Sequence, residues 1–334
     1  MTDAPPQLDP CPLCNQSTRV RPWLRVPMDW RRPKVPGAYD LAWCDACDFG
    51  FLTPRPDPAT IASFYAVDDY YTHGEWYGKR PPESFSDKLR SAIAWRLDPS
   101  KRIELEANFM LRHVGRERLD GLAVCDIGCG NGGMLLPLQK LGASVHGLEP
   151  DPAAAKVARE KGLDVHAGVA EELPHPFQPK QFDIVTMRHV LEHVREPMRV
   201  LRNVSAMLKP GGLFFADVPN NHAAGLVDAG AGWNWLDVPR HLNFWTGASL
   251  SRAIEAAGMK SPVVHHHSYA RQVGRAWIIV ESTINQRYKD AGLPNPRADQ
   301  REPGGSQAWT LLLRTMLAPN ERKCDSMIGV GAGA

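Results

Sequence analysis

No apolar run in the 334-residue chain approaches the roughly 20 residues a helix needs to span a bilayer. Met1 to Pro10 is polar and proline-rich and lacks the apolar centre of a signal peptide, so the cytosol is the expected compartment. An excess of charge of one sign is lacking too. The 39 basic and 37 acidic residues leave a net charge of +2, which gives no broad footprint for nucleic acid. A disulfide framework is also absent: the seven cysteines are an odd number, and four of them form two C-x-x-C pairs, which is metal usage. The remaining composition, 43% hydrophobic and 23% charged, is that of a soluble globular chain with room for one large domain and a small one.

The most informative stretch is Val124-Cys125-Asp126-Ile127-Gly128-Cys129-Gly130-Asn131-Gly132-Gly133. Leu122 to Cys125 reads as a buried strand, the glycines as a turn, and Met134 to Leu141 as a helix. Strand, glycine turn and helix frame a nucleotide site at the carboxyl end of a parallel strand. No Lys-Ser/Thr follows, which excludes a P-loop, and the third glycine comes one residue early for a dinucleotide fingerprint. The pattern Asp-x-Gly-x-Gly-x-Gly resembles motif I of the class I S-adenosylmethionine-dependent methyltransferases. In that family the loop binds the methionine part of the cofactor, which implies cofactor contacts at Asp126, Gly128, Gly130 and Gly132.

Downstream, short apolar strands alternate with helices, which implies a parallel sheet covered on both faces. The second strand, 144–148, ends in Glu149, an acid placed to take both ribose hydroxyls. Asp151 is read as a helix cap ahead of Pro152. By resemblance, Ala170 and Glu171, after the strand 164–167, lie against the adenine, and Arg188 joins the cofactor set. Phe182-Asp183-Ile184-Val185, Leu191-Glu192-His193-Val194 and Leu208-Lys209-Pro210-Gly211-Gly212 form a signature of a large methyltransferase group that includes ubiquinone-type O-methyltransferases and enzymes of sugar and natural-product modification. The implied fold is Rossmann-like: a seven-stranded, mostly parallel sheet with helices on both faces, its last strand, near 324–330, inserted antiparallel.

Cys11, Cys14, Cys44 and Cys47 complete a four-thiolate set that suits a structural zinc ion with no open position. A hairpin between Arg19 and Tyr39 is expected to fill the gap. Arg19, Arg21, Arg25, Arg31, Arg32 and Lys34 alternate with Trp23 and Trp30, which suits either contact with a polyanion or a solvated hairpin face with two packing tryptophans. The second is favoured on overall charge. The expected organisation is a zinc-binding module at 1–58, a linker and capping helices at 59–118, and a methyltransferase domain at 119–334 with acceptor-side insertions at 219–245 and 270–320. Prolines 54–58 read as a stiff linker, and Tyr65, Tyr70, Tyr71, Trp76 and Tyr77 as an aromatic patch. Helices near 86–96 and 101–114 are expected to cover the cofactor side.

His189 to His193 matches H-x-x-E-H, a zinc-protease spacing, but the stretch follows a strand end directly, and the resemblance implies no metal there. Segment 220–232 reads as small and flexible, and 233–244 as an acceptor-side lid with Arg240 or His241 toward the acceptor. His265, His266 and His267 read as an exposed face of a strand, because only alternate residues of a strand share a side. The implied reaction is transfer of a methyl group from S-adenosylmethionine to a small-molecule acceptor such as a sugar, natural-product or quinone-like intermediate. A histidine serves as base: His193 or His241 facing the acceptor, with His189 nearer the cofactor. Two alternatives stand beside it: an RNA or protein methyltransferase docking through the zinc module, and a non-catalytic cofactor-binding protein.

Overall fold

The computed structural model describes residues 8–65, 82–99, 107–173, 177, 179–293 and 304–334. Of the expected aromatic patch, Tyr65 is among them; Tyr70, Tyr71, Trp76 and Tyr77 lie outside the described residues.

Three antiparallel strands come first: β1 (Val20–Val26), β2 (Tyr39–Cys44) and β3 (Phe49–Thr53). Strands β1 and β2 form the expected hairpin. Pro22 cannot donate to the ladder, and the register shifts between Pro22 and Leu24. The Trp23 ring lies 4.9 Å from Trp43 and 5.5 Å from Phe244. A Cβ at Gly50 would stand 2.7 Å from that ring, so the sheet admits the indole only because position 50 has no side chain. Helix α1 (Pro58–Phe64) follows, capped by Asp57 with Pro58 in its first turn. The proline stretch before it is not a free spacer. Arg55 donates to the carbonyls of Val194, Arg195 and Leu242, which docks the stretch onto the large domain.

Helices α2 (Phe85–Leu97) and α3 (Ala107–Val114) precede the large sheet. Phe109 and Met110 of α3 share one buried apolar cluster with Cys129 and Met134 of the glycine loop. Arg90 of α2 donates to Val273, and Ser86 accepts from Trp309, so α2 packs on the late excursion. In α3, Phe109 packs edge-on against Phe215 and His265 on one sheet face. The sequence showed their apolar faces and not what those faces would meet.

The core then runs β4 (Ala123–Ile127), α4 (Leu135–Lys140), β5 (Ser144–Glu149), α5 (Pro152–Glu160), β6 (Asp164–Ala167), β7 (Phe182–Arg188), α6 (Pro197–Met207) and β8 (Leu208–Pro219). It continues with α7 (Ala224–Ala229), β9 (Asn243–Phe244), α8 (Gly247–Ala256), β10 (Lys260–His267), α9 (Arg275–Asp290), α10 (Gly305–Thr315), α11 (Asn320–Lys323) and β11 (Ser326–Ala332). The seven-stranded sheet has the order β10-β11-β8-β7-β4-β5-β6, with β11 antiparallel to both neighbours, as expected. The pairs among β4, β5, β6, β7 and β8 are parallel, so Asp126, Glu149, Arg188 and Pro219 gather at one edge. The glycines of β11, poor strand formers, are what let α8 close on it. A Cβ at Gly329 would meet Ile254 and Leu250 at 2.8 Å, and one at Gly331 would meet Ile254 at 2.5 Å.

Segment 220–232 is ordered and largely buried rather than flexible. Its small residues allow close packing: a Cβ at Gly225 would meet the Gln272 side chain at 2.5 Å. Strand β9 pairs with β3, so the N-terminal sheet takes its fourth strand from the far side of the large domain. One apolar core accordingly holds Cys11, Cys44, Phe49 and Phe51 together with Val185, Leu201, Phe214 and Trp245.

Candidate active site

The candidate cofactor half is built on the end of β4. Asp126 is buried, and Thr186 Oγ1 donates to its Oδ1 at 2.6 Å. Burial pushes its pKa up to about 6, against the pull of the Thr186 bond and the nearby Arg188. Gly128, Gly130 and Gly132 all have positive φ, at 72°, 54° and 83°. A Cβ on Gly128 would lie 2.3 Å from Val190 Cγ2, whereas one on Gly130 would meet open space. The backbone N–H of Gly130 donates to Glu149 Oε2 at 2.7 Å, and that of Asp151 to Oε1 at 2.9 Å. Glu149 is therefore oriented by two main-chain donors and retains lone pairs for hydroxyl groups. Asp151 caps α5 through Ala153. Two neighbouring carboxylates suit a ligand bearing a positive sulfonium and a ribose, and the donor set fits S-adenosylmethionine.

The other cofactor-side residues differ among themselves. Arg188 is exposed at the end of β7 and acts on Asp126 through its field. Ala170 is buried, its carbonyl accepting from Asn203 at 3.0 Å. Glu171 Oε1 accepts from the Arg195 backbone N–H at 2.8 Å, beside the start of α6.

The second half lies in the turn after β7. His189 and His193 do not stand on one helical face, because residues 189–196 form no helix and only 191–193 make a turn, so the H-x-x-E-H spacing has no metalloprotease geometry here. His189 takes a left-handed conformation at φ 53°, uncommon for a residue with a side chain. Its backbone N–H donates to the Asp217 carbonyl at 2.9 Å. Its ring stacks on Trp235 at 4.9 Å, and its Nδ1 lies 3.2 Å from Glu192 Oε1. Glu192 is fully buried, and its Oε2 has no partner. The Glu192 bond and the Asp217 charge raise the pKa of His189 over the opposing effect of burial. Glu192 was not among the residues singled out from sequence, although it is the centre of the turn; the signal lay in the E of that spacing.

His193 and His241 sit behind it, ring centroids 4.6 Å apart. His193 Nδ1 lies 3.1 Å from the Arg240 carbonyl and 2.9 Å from the Tyr65 hydroxyl. His241 Nδ1 donates to the Trp235 carbonyl at 2.9 Å, and burial with His193 beside it pulls its pKa down to about 4. Arg240 does not face an acceptor. Its guanidinium is fully buried between Asp29 and Asp237. The histidines of β10 are not an exposed face either: His267 is buried with Nε2 3.0 Å from Asp217, and His265 lies against His113.

At the N-terminus, the four sulfurs of Cys11, Cys14, Cys44 and Cys47 lie within 4.8 Å of one another, Cys14 and Cys44 3.9 Å apart. Four sulfurs about 2.3 Å from a central ion would stand about 3.8 Å apart, so this cage has the dimensions of a tetrahedral thiolate site. The residues that follow each pair, Asn15 and Asp48, have φ of 57° and 54°, and turn the chain back after the second thiol.

A family model described as a methyltransferase domain matches residues 95–266, which include the glycine loop, Glu149 and the turn at 188–194. A ubiquinone biosynthesis O-methyltransferase of Methylobacterium sp. (strain 4-46) is 36% identical over 182 residues, covering 46% of this chain and 70% of that protein. One from Ruegeria pomeroyi is 31% identical over 252 residues, covering 71% of this chain and 96% of that protein. The chain belongs to the class I S-adenosylmethionine-dependent methyltransferases and is an enzyme of that class.

Proposed function

We propose that the enzyme methylates a hydroxyl oxygen of a small molecule, with His189 as general base and Glu192 as the residue that orients it. The carrying observation is the 3.2 Å contact of His189 Nδ1 with the buried Glu192, His189 standing one residue before Val190, the side chain that a Cβ at Gly128 would meet. That adjacency sets a base beside the cofactor loop. The O-methyltransferase names of the relatives support an oxygen acceptor.

Asp126 and the glycine loop would hold the amino-acid part of S-adenosylmethionine, and Glu149 its ribose. When bound, the cofactor supplies a methyl group on a positively charged sulfur. Glu192 keeps the His189 proton on Nδ1, which leaves Nε2 to accept the hydroxyl proton of the acceptor. Trp235 holds the imidazole plane and keeps water from that side. His193 and His241, with Nδ1 committed to main-chain carbonyls, are positioning residues in this reading. The four cysteines would hold a structural zinc ion.

A docking role for the N-terminal module is disfavoured because four of its arginines are engaged in ion pairs. Arg21 pairs with Asp45, Arg25 with Asp40, Arg31 with Asp237 and Arg32 with Asp29. The test is methyl transfer to a panel of phenols and catechols by the wild type and by His189→Ala. Equal rates in the two proteins would reject His189 as base.

A further inference from the structure

Arg55 leaves the N-terminal sheet two residues after β3 and reaches the turn that carries Glu192. Its Nε and Nη2 donate to the Arg195 carbonyl at 3.2 and 2.7 Å. Nη2 also donates to the Val194 carbonyl at 3.2 Å and to Asn243 Oδ1 at 2.7 Å, and Nη1 to the Leu242 carbonyl at 2.7 Å. All four acceptors are uncharged, and three are main-chain carbonyls. A guanidinium used for its charge takes a carboxylate, whereas one that spends its rigid fork on carbonyls fixes the path of the chain.

The two segments it joins close around Glu192. The backbone N–H groups of Leu242 and Asn243 donate to the Glu192 carbonyl at 2.7 and 3.0 Å. Asn243 Nδ2 donates to the carbonyls of Leu191 and Val194 at 3.0 and 2.7 Å. Glu192 is thereby held from the front by His189 and on its main chain by a ring whose remaining side is Arg55.

We propose that Arg55 is a positioning residue for methyl transfer: from the N-terminal module it fixes the turn that presents Glu192, and through Glu192 it sets His189. The inference rests on the histidine–glutamate reading above. Under it the metal-binding module is a structural part of the base half of the site. The cofactor half, at Asp126 and Glu149, receives no bond from Arg55.

The test uses the full chain with 15N-labelled histidine and the variants Arg55→Met and Arg55→Lys. The imidazole titration of His189 is followed by NMR, and affinity for S-adenosylmethionine by calorimetry. In both variants the His189 midpoint is expected to fall by about one pH unit. Cofactor affinity stays within about twofold of wild type. Lysine keeps the charge but cannot serve four acceptors with a planar fork, so it does not rescue the midpoint. Should Arg55→Met fail to fold, Arg55→Lys is read alone. Lowered melting temperatures with an unchanged His189 midpoint would overturn the proposal and leave Arg55 a stabilising residue only. Failure of the underlying reading looks different: in that case Glu192→Gln in the otherwise wild-type chain leaves the His189 midpoint where it was.

Discussion

Asp29 and Arg240, 211 positions apart in sequence, form a two-armed ion pair with 2.9 Å on each arm and both side chains removed from solvent. Arg32 adds a second cation to Asp29, and Asp237 a second anion to Arg240. Arg31 pairs with Asp237. The N-terminal module and the segment after β8 are thus bolted together by buried charge. Removing one partner strands the others. Asp29→Ala is expected to lower unfolding stability by about 3–5 kcal/mol, measured in urea, whereas a well-packed apolar replacement of the pair costs far less. A change under about 1 kcal/mol for Asp29→Ala would show that water already compensates these charges.

The base half predicts a pH dependence with a definite sign. His189 must be neutral to accept a proton, so the rate falls as pH drops through its pKa, which Glu192 and Asp217 raise above the usual value. In Glu192→Gln the acid limb of the profile moves to lower pH and the maximal rate falls by about 10²-fold, as the tautomer is no longer held. The folding contribution runs the other way: a raised histidine pKa stabilises the fold at low pH, and this stabilisation is lost as pH rises through the folded value.

The cofactor half has its own signature. Asp126 titrates at about 6, and a positively charged ligand favours its ionised form. Affinity for S-adenosylmethionine should therefore weaken as pH falls through 6, and the dependence should be absent in Asp126→Asn. Asp126→Ala should abolish binding at micromolar concentrations in calorimetric titration. Retained micromolar affinity would show that the pocket lies elsewhere.

Zinc removal should be felt beyond the module. Cys11 and Cys44 share one apolar core with strands of the large sheet, and β9 pairs with β3. Cys44→Ser is expected to lose the metal, measured by elemental analysis, and to lower the melting temperature of the whole chain in a single transition. Unchanged metal content would reject the four-thiolate site.

The large sheet was legible because its strands and helices carry strong local patterns, and the glycine loop because positive φ at Gly128, Gly130 and Gly132 leaves glycine as the residue of choice. What stayed hidden was long-range. Nothing near Arg240 in sequence announces Asp29, so its charge read as a ligand contact. Strand β9 is two residues long and has no periodicity to read. Gly329 and Gly331 weakened the last strand on propensity, whereas the structure uses them for contact with α8. In the turn after β7, no local pattern shows that Glu192 is buried with His189 against it.

A base beside the cofactor is tested most directly by following labelled methyl from S-adenosylmethionine into phenolic acceptors across pH. Wild type should form methyl ethers with an acid limb set by His189. His189→Ala and Glu192→Gln should each lose about 10²-fold in rate at unchanged cofactor affinity. Wild-type turnover by His189→Ala, or label found only on nitrogen or carbon, would contradict the account.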